Sequence, residues 1–170
     1  MELMYGEQLA MGVGFDMQIC KLGRDHLREA LDLVWEVFEE YEAPDYEDMG
    51  VKTFQHFIEY NSMLERVETG EMKFWGCYQN SYLIGVIAIR PVQHISLLFV
   101  RGKFHHLGVA GRLVRVVVSE IRNSGPEVPA VTVNSSPYAV GFYKAVGFRA
   151  LGPEETRDGI RFTPMRRDLS

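Results

Sequence analysis

The sequence is poor in cysteine and contains no long apolar run. Its 170 residues include two cysteines, which is too few for a disulfide framework or for paired metal-binding Cys motifs. No apolar stretch approaches the roughly 20 residues of a membrane-spanning helix, and residues 1–17 lack the basic cluster of a signal peptide. We therefore expect a cytoplasmic protein that makes no membrane contact.

Positive charge is also scarce. The chain has 18 Lys and Arg against 23 Asp and Glu, a formal net charge of −5, so we expect no surface built to bind nucleic acid. The composition is otherwise ordinary, with 46% apolar and 24% charged residues, which excludes a disordered chain. The length suits one domain, and we assign residues 1–16 to an N-terminal tail and residues 17–170 to that domain.

Several well-known motifs are missing. The sequence has no Gly-x-x-x-x-Gly-Lys-Ser/Thr run, no third glycine after Gly12-Val13-Gly14, no His-Glu-x-x-His run and no Gly-x-Ser-x-Gly turn. These absences argue against a nucleotide P-loop, a dinucleotide fingerprint, a zinc site and a serine nucleophile. We expect no metal site.

Hydrophobic periodicity predicts strands alternating with helices, and hence one α+β domain. Helices are expected over 26–41, around 51–58 and 62–67, over 108–122 and between 136 and 147. Strands are expected over 17–22, 72–78, 82–90, 94–100, 130–133, 148–151 and 159–165.

The segment that points to chemistry joins the 94–100 strand to the long helix. Small residues at Gly108, Ala110 and Gly111 allow several unpaired backbone N–H groups to converge on an anion at the positive end of the helix. The pattern predicts a phosphate cradle. The alternative is that the small residues serve only close packing.

Two motifs in register make the sequence resemble the GNAT N-acetyltransferase superfamily. His105, Gly108 and Ala110 match the spacing of its acetyl-coenzyme A signature, with His105 in place of the usual Gln or Arg, and residues 134–148 resemble its Asn, helix, Tyr and Gly-Phe segment. The resemblance covers about residues 17–168. It implies a GNAT-like acyl-CoA transferase fold, with helices on both faces of a mixed, mostly antiparallel sheet. That sheet has six to seven strands and splays between the fourth and fifth.

The resemblance also implies that acetyl-CoA is the cofactor. Its pantetheine arm would lie in the splay and its pyrophosphate on the N–H groups of residues 107–111, while Tyr143 would sit beside the thioester sulfur as the general acid. The implied cofactor-binding residues are Phe99, Val100, His105, Leu107, Gly108, Val109, Ala110, Gly111 and Asn134.

An amine acceptor needs a base, because an alkylamine with a pKa near 10.4 is neutral in only about one molecule in 2,500 at pH 7. His94 is a candidate, since strict alternation puts it on the same strand face as Val100 and its pKa suits neutral pH. A water held by Ser96 is an alternative. Seven carboxylates between residues 36 and 48 supply further candidates for the base or for docking a cationic acceptor: Glu39, Glu40 and Asp45.

The predicted function is direct transfer of an acetyl group from acetyl-CoA to a primary amine of a small molecule or peptide. The alternative is a non-catalytic acyl-CoA-binding module. The sequence leaves open the acceptor, the acyl-chain preference and whether the protein forms a homodimer.

Overall fold

The computed structural model describes residues 5–9, 15–124 and 128–169. The strands are β1 (Tyr5–Leu9), β2 (Phe15–Leu22), β3 (Lys73–Gln79), β4 (Tyr82–Arg90), β5 (His94–Val100), β6 (Ala130–Ser135), β7 (Arg149–Ala150), β8 (Glu155–Arg157) and β9 (Ile160–Asp168). The helices are α1 (Leu27–Tyr41), α2 (Asp48–Phe57), α3 (Tyr60–Glu68), α4 (Val109–Asn123) and α5 (Val140–Ala145).

One mixed sheet runs through the described part of the chain, in the order β1-β2-β3-β4-β5-β6-β9-β7, and β8 pairs with β9. All neighbouring pairs are antiparallel except β5 and β6. The predicted α+β fold with a mostly antiparallel sheet is confirmed. The structure adds β1 and β8 to the strands that periodicity predicts, and β1 lies within the segment predicted as a tail.

Helices cover both faces of the sheet and bury two apolar cores. One core packs α4 residues such as Leu113 and Val117 against the sheet. The other core packs α1 residues such as Leu31, Val34 and Phe38 against the opposite face. The α1 boundaries agree closely with the predicted 26–41, because the apolar stripe at intervals of three and four fixes which side of the helix is buried.

Strands β5 and β6 separate after a short parallel contact. The paired residues are His94 with Thr132 and Ile95 with Val133, whereas β5 continues to Val100 and β6 to Ser135. The predicted splay between these strands is therefore confirmed. It leaves a wedge-shaped opening in the middle of the sheet.

A β-bulge at Ser96 lies at the start of this opening. Ala88 pairs with Leu97 and Ile89 pairs with Ile95, so Ser96 has no partner in β4. The extra residue reverses the alternation of side chains, and Ile95 shares the α4-side core with Val100. The prediction that His94 shares a face with Val100 is therefore wrong, because it assumes an unbroken strand.

Helix α2 contacts the turn between β8 and β9 through main-chain atoms. A Cβ added at Gly50 would overlap the backbone of Gly159, and one added at Gly159 would overlap the backbone of Gly50. Nearby, the Thr53 hydroxyl lies 2.8 Å from the Asp158 carbonyl oxygen, and the Tyr46 hydroxyl donates a hydrogen bond to the Arg161 carbonyl at 3.2 Å. These contacts fix α2 against the β8–β9 hairpin.

Two kinds of feature are absent from the described residues. No helix in residues 5–9, 15–124 and 128–169 has the length and apolarity needed to cross a bilayer. The same residues contain no group of three or more His, Cys, Asp or Glu side chains arranged to hold a metal ion.

Candidate functional site

Two cavities meet where β5 and β6 diverge. The α4 cavity, of about 670 Å³, lies at the start of α4, and the α2 cavity, of about 410 Å³, is lined by residues of α2 and the β8–β9 hairpin. Both are lined by Glu42, Leu98, Phe99, Ala139 and Tyr143. We call these five residues the shared wall, because ligands in the two cavities would meet there.

The α4 cavity includes the predicted phosphate cradle. Gly108 adopts a left-handed conformation with φ of +84° just before α4. The first helical hydrogen bond runs from Arg112 N to Gly108 O at 3.1 Å, so the N–H groups of residues 109–111 have no acceptor within the helix. A Cβ added at Gly108 or Gly111 meets nothing within 4 Å. Open space therefore lies beside several free donors, which fits a phosphate group.

His105 stabilises the loop that leads into the cradle. Its Nε2 lies 2.6 Å from the Val100 carbonyl oxygen, so Nε2 carries the proton and donates it to that oxygen. Its Nδ1 lies 3.4 Å from the Tyr138 hydroxyl oxygen. The ring also packs on Tyr41, with centroids 4.6 Å apart, and it lines the α4 cavity.

The other predicted cofactor residues fall in different places. Phe99, Val100, Val109 and Ala110 line the α4 cavity, and Asn134 lines only the α2 cavity. Leu107 is 38% exposed and lines neither cavity. The motif spacing did not single out several residues that line the α4 cavity, namely Tyr41, Leu98, Phe104, His106, Tyr138 and Phe142.

Tyr143 is buried in the shared wall. Its side chain is 4% exposed, and its ring packs edge-on against Phe142 and Phe148 with centroids 5.2 and 5.3 Å apart. Burial raises the pKa of the Tyr143 hydroxyl well above its usual value, and the nearby charge of Glu42 raises it further. The phenol therefore keeps its proton at neutral pH.

Glu42 is the second titratable group of the shared wall, and sequence analysis missed it. It directly follows α1 and is half-buried. Burial raises the pKa of its carboxyl group to about 7, and the charge of Asp45 adds to the rise. Because this pKa lies near neutral pH, the group is well suited to accept and release a proton there.

The periodicity of α1 indicates that Glu42 lies on the buried side of the chain. The buried stripe passes through Leu31, Val34 and Phe38, and Glu42 lies four residues after Phe38 on the same side of the helix. Glu39 and Glu40 point away from this stripe, and both are exposed. Together with the exposed Asp45, they are absent from the lining of both cavities.

His94 and Ser96 line the α2 cavity. The Nδ1 atom of His94 lies 2.8 Å from the Thr132 hydroxyl oxygen. Burial, together with the charge of Arg90, lowers the pKa of His94 to about 4, so its ring is neutral and weakly basic at pH 7. The hydroxyl oxygen of Ser96 is buried without a hydrogen-bond partner among the described residues.

Comparison with known proteins finds a matching family model and many similar folds. The model that matches describes an acetyltransferase (GNAT) domain and covers residues 42–169. A search of curated proteins finds no match.

Three solved structures illustrate the similarity of fold. The PaiA N-acetyltransferase from Thermoplasma acidophilum, in complex with coenzyme A, is 19% identical with a TM-score of 0.73, over 90% of this chain and 99% of that one. A GCN5-related N-acetyltransferase from Rhodopseudomonas palustris is 15% identical with a TM-score of 0.76, over 89% and 94%. A GNAT-family acetyltransferase from Staphylococcus aureus is 14% identical with a TM-score of 0.68, over 91% and 99%. At these identities the similarity concerns the fold.

The pH dependence of stability tests the burial of Glu42. Because folding raises the pKa of this carboxyl group from 4.5 to about 7, the native protein binds the proton more tightly than the unfolded chain. Wild type should therefore lose stability relative to Glu42→Gln as the pH rises from 4.5 through 7, by at most about 3 kcal/mol. Urea unfolding at pH 4 and pH 8 measures this, and the exposed Glu39→Gln variant should follow wild type. If the free energies of unfolding of wild type and Glu42→Gln change equally between pH 4 and pH 8, the raised pKa of Glu42 is contradicted.

Proposed function

The chain belongs to the GNAT family of acetyltransferases, and we propose that it transfers the acetyl group of acetyl-CoA directly to a primary amine. The observation that carries this proposal is the shared wall, where two cavities meet at a protonated phenol and a carboxyl group with a near-neutral pKa. No serine or cysteine is among the five residues of that wall. This composition favours direct transfer over an acylated serine or cysteine.

Acetyl-CoA is the cofactor of this family and supplies the acetyl group as a thioester. The open cradle fits its diphosphate, and the N–H groups of residues 109–111 would bind it. Beyond Ile95, the edge of β5 is not paired with β6, so its backbone groups are available to the pantetheine arm as they would be to an added strand. Phe99, Val100 and Asn134 flank this opening, while His105 positions the loop.

Glu42 is the proposed general base. Neutralising an alkylammonium ion at pH 7 costs about 4.6 kcal/mol, and a positioned base offsets part of this cost as the amine reacts. Glu42 lines the cavities for both substrates and has a pKa of about 7. His94, with a pKa of about 4, is the weaker base and remains the alternative.

Tyr143 is the proposed general acid. With the ordinary pKa values of about 10 for a phenol and 8.5 for a thiol, proton transfer to a thiolate is uphill by about 2 kcal/mol. The raised pKa of Tyr143 adds to this cost unless burial also raises the pKa of the thiol. We therefore expect Tyr143 to donate as negative charge builds on the leaving sulfur.

The charge of Glu42 raises the pKa of Tyr143, so the two proposed steps assist each other. When Glu42 accepts the proton of the amine, its charge disappears and the phenol becomes a better proton donor. The acid and the base are therefore coupled through the shared wall.

Filling the cradle should block the cofactor. A valine at Gly111 would have space in the fold but would occupy the cradle, so Gly111→Val should weaken coenzyme A binding by at least about tenfold. Titration calorimetry measures the affinity, and thermal melting checks that the domain remains folded. The matched control is Gly141→Val, at an exposed helical glycine with similar free space. Unchanged affinity in Gly111→Val would contradict the cradle assignment.

Removing the phenol hydroxyl should slow the chemistry and spare binding. Tyr143→Phe should lower kcat by roughly 10² to 10⁴ while leaving the Kd for coenzyme A nearly unchanged. Release of the free thiol of coenzyme A measures turnover. The acceptor for this assay is first identified by screening amines, amino acids and peptide N-termini. If turnover of that acceptor is unaffected, Tyr143 is not the acid.

The pH profile distinguishes the two candidate bases. Because the base must be ionised to accept a proton, kcat/KM should fall below a pKa of about 7 in wild type, and Glu42→Gln should remove this acidic limb along with much of the activity. His94→Gln should retain the limb. Loss of the limb in His94→Gln alone would assign the base to the histidine.

A further inference from the structure

The α2 cavity combines apolar walls with positive charge. Its volume of about 410 Å³ is in the range of small-molecule sites. Aromatic rings form much of its lining, among them Phe54, Phe57 and Phe162. The same lining includes three arginines, Arg90, Arg157 and Arg161.

Two of these arginines have no close ion pair within the part of the chain that the structure describes. Arg161 is held by Glu154 through contacts of 3.1 and 3.2 Å. Arg157, whose side chain is 71% exposed, lies 4.0 Å from a Glu155 carboxylate oxygen and 5.4 Å from the centre of the Phe162 ring. The guanidinium of Arg90 donates to the Pro91 carbonyl at 3.1 Å and forms no ion pair with any described residue.

The lining of the α2 cavity carries less negative charge than positive charge. The carboxyl groups that line the cavity are those of Glu42 and Asp158, and burial, which raises the pKa of Glu42 to about 7, reduces its negative charge at neutral pH. An amine without an anionic group gains nothing from the two weakly paired arginines, whereas a carboxylate accepts two parallel hydrogen bonds from a guanidinium. The cavity therefore favours a ligand that carries an anionic group.

We propose that the acceptor is a free amino acid with an apolar side chain, an inference that rests on the proposed function. Its amine lies at the shared wall beside Glu42 and Tyr143, and its carboxylate pairs with the guanidinium of Arg90, with Arg157 adding positive potential. Its side chain packs on the aromatic lining. A polyamine fits poorly, because its second positive charge would face the arginines.

Binding of product analogues tests the carboxylate site without turnover. N-acetyl-L-phenylalanine and N-phenethylacetamide differ by one carboxylate, and titration calorimetry on the full chain should show at least about tenfold tighter binding of the acid. Arg90→Gln should remove most of that preference, and Arg157→Gln should reduce it. Arg115→Gln, exposed on α4 and outside both cavities, should leave it unchanged. Equal affinity for the two compounds, or binding of neither, overturns the inference.

Turnover separates this inference from the function on which it rests. With acetyl-CoA, phenylalanine should have a kcat/KM at least about tenfold above that of phenethylamine, mainly through KM, and spermidine should react more slowly than both. Faster turnover of spermidine or phenethylamine overturns the amino-acid acceptor and leaves amine acetylation standing. Tighter binding of the acid without turnover of any primary amine supports the carboxylate site and overturns amine acetylation.

Discussion

The early separation of β5 from β6 is the constraint on which the site depends. After Ile95 and Val133 the two strands no longer pair, and the opening lets residues from α1, β5 and α5 line both cavities. A continuous ladder would close this opening and separate the α2 cavity from the α4 cavity. The bulge at Ser96 lies where the strands separate, which fits the local bending that one extra residue imposes on a strand.

Burial then sets the chemistry of the shared wall. Glu42 and Tyr143 both have raised pKa values because their surroundings disfavour charge, and the charge of Glu42 acts on Tyr143. A solvated pair would lack this coupling, since water would screen one group from the other. The same burial that favours the protonated forms thus lets the proton state of one group control the other.

Local patterns in the sequence predicted much of the fold and part of the site. The α1 stripe, the 94–100 strand and the glycine-rich helix start are local features, and the structure contains each of them. The bulge at Ser96 was missed because it depends on pairing with β4, which no pattern within β5 encodes. Glu42 was missed because it lies in a run of seven carboxylates, and only its position on the buried stripe distinguishes it from Glu39 and Glu40.

The contact between Gly50 and Gly159 sets the separation between α2 and the β8–β9 hairpin. Because main chain meets main chain there, no side-chain exchange elsewhere can bring α2 nearer to the hairpin. A methyl group at either position would act as a spacer, forcing the helix outward and enlarging the room beneath it. These two glycines therefore set how closely the helix and the hairpin enclose the α2 cavity.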